Sequence, residues 1–248
     1  KYCLVAGSAL GVCNYKGFIP WDDDMDIFMT PDNYEKFRSS FLNYGDHDTY
    51  YLQEKGKNGL ISSAKLRMNH STYIEEAYRN MDIHHGVFVD IFILHNCPDS
   101  KMKLKWQYYW AKYVIVKGLA DRGYKKTGLD GVLLDVMRLF PKHAFIYYAL
   151  KQLYKYRGCQ TKMLCHFMGH ARLEKALYKR VYFEKTKKIA FENTFLRIPY
   201  FCEDYLKDRW GDYMKMPSMD EIEKCIHATE WSNESFKGYN KEGNYKRT

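Results

Sequence analysis

The sequence contains no apolar run long enough to span a membrane, no CxxC pair, no internal repeat and no low-complexity segment. The first absence argues against an integral membrane protein. The lack of repeats argues against a solenoid or an array. No secretory signal is legible either. The chain opens directly on Lys1-Tyr2-Cys3-Leu4-Val5-Ala6, which reads as a strand, so an element ahead of it is compatible with the sequence. Seven scattered cysteines are an odd number, which points to reduced thiols in the cytoplasm rather than a disulfide framework. Cys159, Cys165, His166 and His170 offer a four-ligand Cys/His set of the kind zinc uses. Their Cys-x5-Cys spacing is wide for a zinc knuckle, however, and the segment reads as helical.

What remains is a 248-residue chain, long enough for a full core, with 46% hydrophobic and 28% charged residues. Its formal net charge of +9 invites an anionic partner. A nucleic-acid-binding module would gather basic residues along one groove. Here they are dispersed, with no motif for reading base edges, so no nucleic-acid partner is expected. Tyr accounts for 23 residues, an amphipathic side chain suited to pockets and wet interfaces.

Against that basic background, Asp22, Asp23, Asp24 and Asp26 fall within five positions, between Trp21 and the apolar Met25, Ile27, Phe28 and Met29. Carboxylates at the edge of a core are costly unless a cation meets them. Asp22 to Phe28 alternates with period two and predicts a strand, placing Asp24 and Asp26 on one face, with Asp22 as a secondary candidate and Asp23 turned away. Such a pair can share a divalent ion, and magnesium, with manganese as a substitute, suits oxygen ligands. Asp90 is the one charge inside His85 to Leu94, the clearest strand pattern of the chain, and is the natural third carboxylate if the two strands are neighbours.

Upstream, the apolar residues 2–6 predict a strand that enters a tight Gly7-Ser8 turn, with a helix opening near Ala9. Such a turn can offer backbone N–H groups to a phosphate. Lys16, Lys65 and Arg67 are candidate phosphate contacts, with solvated surface as the alternative for Arg67. Together these features describe a phosphoryl-transfer site in which metal neutralises the transferring group.

Elsewhere, Thr30-Pro31 predicts a capped helix with Tyr34, Phe37, Phe41 and Leu42 facing the core. Strands are expected at 50–53, 60–68 and 72–76, around a turn at 55–59. Long helices should fill 101–179, broken at Gly118, Gly123, Gly128 and Pro141. Trp106, Tyr109, Trp110 and Tyr113 read as a helical core stripe, or else as a basic aromatic surface for a membrane interface or a glycan acceptor. Phe183 to Lys185, 191–196 and 198–199 read as short strands and turns, 204–210 as a helix, and the tail from Lys237 as loose.

Gly7-Ser8-Ala9-Leu10-Gly11 followed by Lys16-Gly17-Phe18-Ile19-Pro20-Trp21-Asp22-Asp23-Asp24-Met25-Asp26-Ile27 resembles the signature of the LicD family of bacterial phosphocholine transferases. Ala64-Lys65-Leu66-Arg67, Ser71-Thr72-Tyr73-Ile74-Glu75, Val87-Phe88-Val89-Asp90-Ile91-Phe92 and Trp210-Gly211-Asp212-Tyr213-Met214 extend the resemblance to about residue 220. The sequence departs from the family at Asn14-Tyr15, where an Arg-His pair is usual, and at Ile93, where Pro is usual. The resemblance implies a nucleotidyltransferase of the polymerase-beta type: Gly7, Ser8, Asp24, Asp26 and Asp90 in its catalytic pattern, and magnesium as cofactor. It implies transfer of phosphocholine from CDP-choline, or of another alcohol phosphate from its CDP donor, to a sugar hydroxyl of lipopolysaccharide, teichoic acid or capsule, with release of CMP. The acceptor can be lipid-linked, and the expected location is cytoplasmic with peripheral contact at the inner membrane face. Choline would need an aromatic box, to which Trp21 and tyrosines could contribute.

The expected fold is therefore α/β (α+β), a nucleotidyltransferase-like small mixed sheet flanked by helices, with a helical insertion. Residues 1–100 would form the catalytic core, 101–180 the acceptor-side insertion, and 181–248 a segment completing the core.

Overall fold

A two-residue strand, β1 (Cys3–Leu4), leads into helix α1 (Ala6–Tyr15) and then β2 (Asp26–Met29), α2 (Pro31–Tyr44), β3 (Tyr50–Glu54), β4 (Ser63–Met68), β5 (Thr72–Glu75) and β6 (Phe88–Ile93) in the computed structural model of the chain. The structure describes residues 1–54, 63–79, 83–121, 123–141, 144–169, 172–223 and 225–236. The turn expected at 55–59 and the tail from Lys237 lie outside them. Next come β7 (His95–Cys97), α3 (Lys101–Asp121), α4 (Gly128–Leu139), α5 (Ile146–Leu153), β8 (Met163–Cys165), α6 (Leu173–Ala176) and β9 (Leu177–Lys179). The described chain closes with α7 (Val181–Glu184), β10 (Thr186–Phe191), β11 (Thr194–Pro199), α8 (Cys202–Trp210), α9 (Met219–Glu223) and β12 (Ala228–Ser232). This is a mixed α+β protein. Its described residues fall into two units, the first drawn from 1–54, 63–93 and 181–236 and the second from 94–180.

The first unit is built on a five-stranded sheet of order β1-β2-β6-β4-β3. Strands β2 and β6 run parallel, with Asp26 opposite Asp90 and Ile27 opposite Ile91, and β4 runs antiparallel to β6 with Lys65 opposite Asp90. Ile27, Phe28, Met29, Ile91 and Ile93 are all buried, the continuous apolar pattern of central strands covered on both faces. Phe28 meets Phe92 and Phe183 edge-on at centroid distances of 6.1 and 5.5 Å, and Phe183 in turn meets Tyr205 at 5.5 Å. Helix α2 starts as the sequence dictates: Thr30 accepts the Asn33 amide at its hydroxyl and Pro31 takes the first helical position. Its stripe is narrower than predicted, because Leu42 is 46% exposed.

Four local expectations fail, each for a physical reason. The predicted strand at 22–28 begins only at Asp26, because β1 is two residues long and offers partners to Ile27 and Phe28 alone. The Gly7-Ser8 pair lies inside the first turn of α1 rather than ahead of it. Phe183 sits in the short helix α7, and the strand character returns only in the hairpin β10–β11. Gly118 does not break α3, whereas Gly123 and Gly128, with φ of 76° and 70°, do end and begin elements.

In the second unit, Cys97, Ala111, Leu150, Leu153, Cys165 and Phe167 form the core. The Gln107 side-chain amide donates to the Leu153 carbonyl at 2.8 Å, tying α3 to α5. The fully buried Lys117 is neutralised by Asp121 and donates to the carbonyls of Met137 and Phe140 at 3.2 Å. The aromatic stripe is core only in part: Trp106 is 53% and Tyr109 64% exposed, Trp110 and Tyr113 are half-buried, and Gln107, Ala111, Lys117 and Ala120 face inward. The stretch containing Cys165 is a strand of the β7-β8-β9 sheet, not a helix. No helix among the described residues is long and apolar enough to cross a membrane.

Candidate active site

The parallel register of β2 and β6 sets Asp26, the first residue of β2, beside Asp90, the third residue of β6. Asp24, just ahead of β2, folds back toward them. One ligand oxygen from each of Asp24, Asp26 and Asp90 lies within 4.8 Å of the others, the only such cluster of metal-competent groups among the described residues. The donor set, three carboxylates, suits a hard divalent cation. Asp26 also holds a buried oxygen, Oδ1, that finds no hydrogen-bond partner among the described residues. A buried oxygen in this state is destabilising unless a cation or a proton meets it. The residues present therefore fit a magnesium-type ion.

Electrostatics carry the same message. Burial first, then the neighbouring Asp24, Asp90 and Asp22, push the Asp26 carboxyl up to about 8. Burial and Asp24 push Asp22 up to about 6. Asp24 is raised as well, by burial and by Asp90 and Asp23, against the pull of His227 and Lys65. Such crowding of carboxylates in a cleft is characteristic of functional sites.

Lys65 lies on the same sheet face. Its ammonium is 3.0 Å from Asp90 and 3.5 Å from Glu75, and sits 3.3 Å from the Phe88 ring centroid. It reaches the cluster. Arg67 does not face open space: it is 2% exposed, donates to Gln53 and, at 2.8 Å, to the Gly86 carbonyl, and lies 3.9 Å from Glu75. Its position is that of a buried brace for the strand that carries Lys65. Lys16 caps α1 in the left-handed conformation with φ of 60° and is exposed, its carbonyl accepting the Glu192 amide at 3.0 Å.

Ser8 ties the helix to the acidic strand, its buried hydroxyl accepting the Asp26 amide at 2.8 Å. The amides of Gly7 and Ser8 belong to the first turn of α1, where a helix leaves donors for an anion. At Gly7 a Cβ would lie 2.2 Å from the Asp22 carboxylate, so any side chain there would displace that carboxylate. At Gly11 a Cβ would meet the Gly17 carbonyl at 2.4 Å, so α1 packs on the 17–19 loop only through glycine. Trp21 stands at the mouth of the site, edge-on to Tyr15 at 5.8 Å.

Residues from the C-terminal segment complete the surroundings, and the sequence did not announce them. Strand β12 pairs antiparallel with β5 and sets Trp231 opposite Tyr73. The amides of His227 and Ala228 both donate to Asp23 Oδ2 at 2.9 Å, and the His227 ring nitrogen Nδ1 is 3.1 Å from Asp23 and 3.8 Å from Asp24. Burial opposes charge on His227, but Asp23, Asp24 and Asp22 outweigh it and raise its pKa. Asp23 thus turns from the cluster to anchor β12. The only advance signal was an Asp excluded from the predicted ligand face.

The Cys/His set behaves differently. Cys159 is exposed, Cys165 is buried in β8 with its thiol pushed up by burial, and His170 lies outside the described residues.

Fold and site together define an α+β domain that presents an acidic, metal-competent cluster on two parallel strands, next to a Gly-Ser helix start. Residues 1–120 match the family described as LicD/FKTN/FKRP, nucleotidyltransferase domain. The chain is 24% identical, over 93% of its own length and 88% of the relative's, to the lipopolysaccharide cholinephosphotransferase LicD of Haemophilus influenzae. Residues 1–120 thus match a LicD-type nucleotidyltransferase domain, and both similarities support a transferase of that type.

Proposed function

We propose that the protein transfers phosphocholine from CDP-choline to a sugar hydroxyl of a bacterial cell-surface glycan, lipopolysaccharide in the first instance, and releases CMP. One observation carries the reading: Asp24, Asp26 and Asp90 converge within 4.8 Å. The similarity to a named cholinephosphotransferase supports the donor's alcohol and the acceptor class.

Asp24, Asp26 and Asp90 would hold magnesium, which when bound supplies charge neutralisation on the diphosphate. The first-turn amides of α1 receive a phosphate oxygen through the positive end of the helix. Lys65, 3.0 Å from Asp90, adds positive charge where the transferring phosphoryl group must sit. Asp90 accepts the proton of the acceptor hydroxyl. The hydroxyl oxygen bonds to the phosphorus that carries choline, the bond from that phosphorus to the bridging oxygen breaks, and CMP leaves with the bridging oxygen. Placement of Asp26, Lys65 and Asp90 on the adjoining strands β2, β4 and β6 favours a fixed geometry for in-line attack.

Product analysis with a panel of CDP-alcohols tests this. CMP formed preferentially from CDP-choline supports the reading. CMP formed preferentially from CDP-ribitol or CDP-glycerol moves the protein to another alcohol phosphate, and pyrophosphate released from a nucleoside triphosphate moves it to nucleotidyl transfer.

A further inference from the structure

Beside the acidic cluster, a cavity of about 370 Å³ opens between the 20–23 loop, β5 and β12. Its walls carry three aromatic side chains, Trp21, Tyr73 and Trp231, together with the carboxylates of Asp22 and Asp23. Three segments far apart in sequence supply these groups, and specific contacts hold them in place. Trp231 and Tyr73 are directly opposed across the β12–β5 pair, so both rings lie on one face of that ribbon. Asp23 fixes the start of β12 through two backbone amides. Tyr73 packs edge-on against Phe88 at 5.0 Å and its hydroxyl lies by Asp23. Trp21 is steadied by Tyr15. Trp231 is 74% exposed, so its ring is open to a ligand.

Aromatic faces beside carboxylates suit an organic cation whose charge cannot be met by hydrogen bonds. A metal ion would seek a shell of oxygen ligands and a lysine would seek hydrogen-bond acceptors, whereas a cation without N–H donors is met best by ring faces. A neutral base would gain from the rings but nothing from the charge of the two carboxylates. The cavity also borders the place where phosphate chemistry is proposed: Asp22 and Asp23 adjoin Asp24 in the chain, and His227, between the cavity-lining Ile226 and Ala228, is 3.8 Å from Asp24. Choline carries its ammonium two carbons and one oxygen beyond its phosphorus, a span suited to a neighbouring pocket.

We propose that Trp21, Tyr73 and Trp231, with Asp22 and Asp23, form the subsite for the quaternary ammonium of the donor, and that Trp231 is the specificity-determining residue contributed by the C-terminal segment. This assignment rests on the phosphocholine reading above. It makes the segment 225–232 part of donor selection, although that segment lies outside the residues matched by the family.

Two measurements separate the subsite from the reading it rests on. The first is calorimetric titration of the whole protein with tetramethylammonium chloride, with sodium chloride as control. Saturable binding to the wild type, weakened roughly tenfold in Trp231→Ala and largely restored in Trp231→Phe, is the expected result. Absence of binding, binding unaffected by Trp231→Ala, or displacement of tetramethylammonium by CMP alone, which would give the cavity to the base, overturns the subsite. The second is transfer kinetics. Trp231→Ala should raise KM for CDP-choline roughly tenfold with kcat little changed, while KM for CDP-glycerol, which has no cation, stays put. An equal rise for both donors overturns the subsite. A wild type that binds tetramethylammonium yet releases no CMP from CDP-choline refutes the phosphocholine reading and leaves the cation subsite supported.

Discussion

Asp26 answers two demands that conflict until a cation arrives. Its amide is held by Ser8, and its carboxylate is buried among Asp24, Asp90 and Asp22. With the carboxyl pushed up to about 8 from an ordinary 3.8, the folded protein keeps a proton that the unfolded chain gives up. Between about pH 4 and pH 8 the native state therefore binds more protons, and stability falls as pH rises through that window. Urea titration of metal-free protein should show this decline, amounting to a few kcal/mol. Asp26→Asn should flatten the profile and stabilise the metal-free protein at pH 8. Magnesium should raise the wild-type melting temperature more at pH 8 than at pH 5, and should do little for Asp26→Asn. A profile unchanged by Asp26→Asn would place the penalty elsewhere. Much of this site was legible in the sequence, because four acidic residues against Trp21, Met25 and Ile27 have few structural explanations. The face assignment succeeded for Asp23 but for the wrong reason. Asp22 to Met25 is not a strand, and Asp23 departs because it binds the amides of His227 and Ala228.

At the scale of elements, β12 is the piece that local sequence reading could not supply. Ala228 to Ser232 has little alternation, and its partner β5 lies some 150 residues earlier, so its pairing follows from tertiary contacts. Asp23 is its tether. Asp23→Ala removes the acceptor for two amides, and hydrogen exchange at residues 226–232 should quicken by at least tenfold while β2 and β6 keep their protection. Uniform acceleration across the sheet would show instead that Asp23 supports the fold as a whole. Helix α3 gave the opposite lesson. Its aromatic spacing matched a core stripe, yet Ala111 and Ala120 face the core and Trp106 and Tyr109 face solvent. Trp106, Tyr109, Trp110 and Tyr113 share one face of this helix, but Leu104, Tyr108, Ala111 and Val114 make a second apolar face that meets the core, so periodicity alone could not choose the buried side. Trp106→Ala should change stability by less than about 1 kcal/mol, whereas Leu153→Ala, in the core packed on α3, should cost about 2–5 kcal/mol. Equal costs would restore the stripe to the core.

Taken whole, the chain joins a sheet that carries the acidic cluster to a basic, helix-rich unit at 94–180 drawn from the middle of the sequence. The contrast in patterning between the two was readable in advance. Apolar runs around Asp26 and Asp90 read as strands, and Lys-, Tyr- and Trp-rich periods from residue 101 read as helices. What was not readable was the return of the C-terminal segment to the acidic cluster, since that contact is made by His227 and Trp231, single residues in a polar stretch. The central claim is that Asp24, Asp26 and Asp90 act together on a metal-bound CDP-choline diphosphate. Single-turnover release of CMP from CDP-choline in the presence of a glycan acceptor, measured with magnesium and with EDTA for wild type and Asp26→Asn, tests it most directly. The account predicts release that EDTA abolishes and that Asp26→Asn lowers by at least about a thousandfold, with the variant still folded. Release that persists in EDTA, or at near wild-type rate in Asp26→Asn, would contradict it.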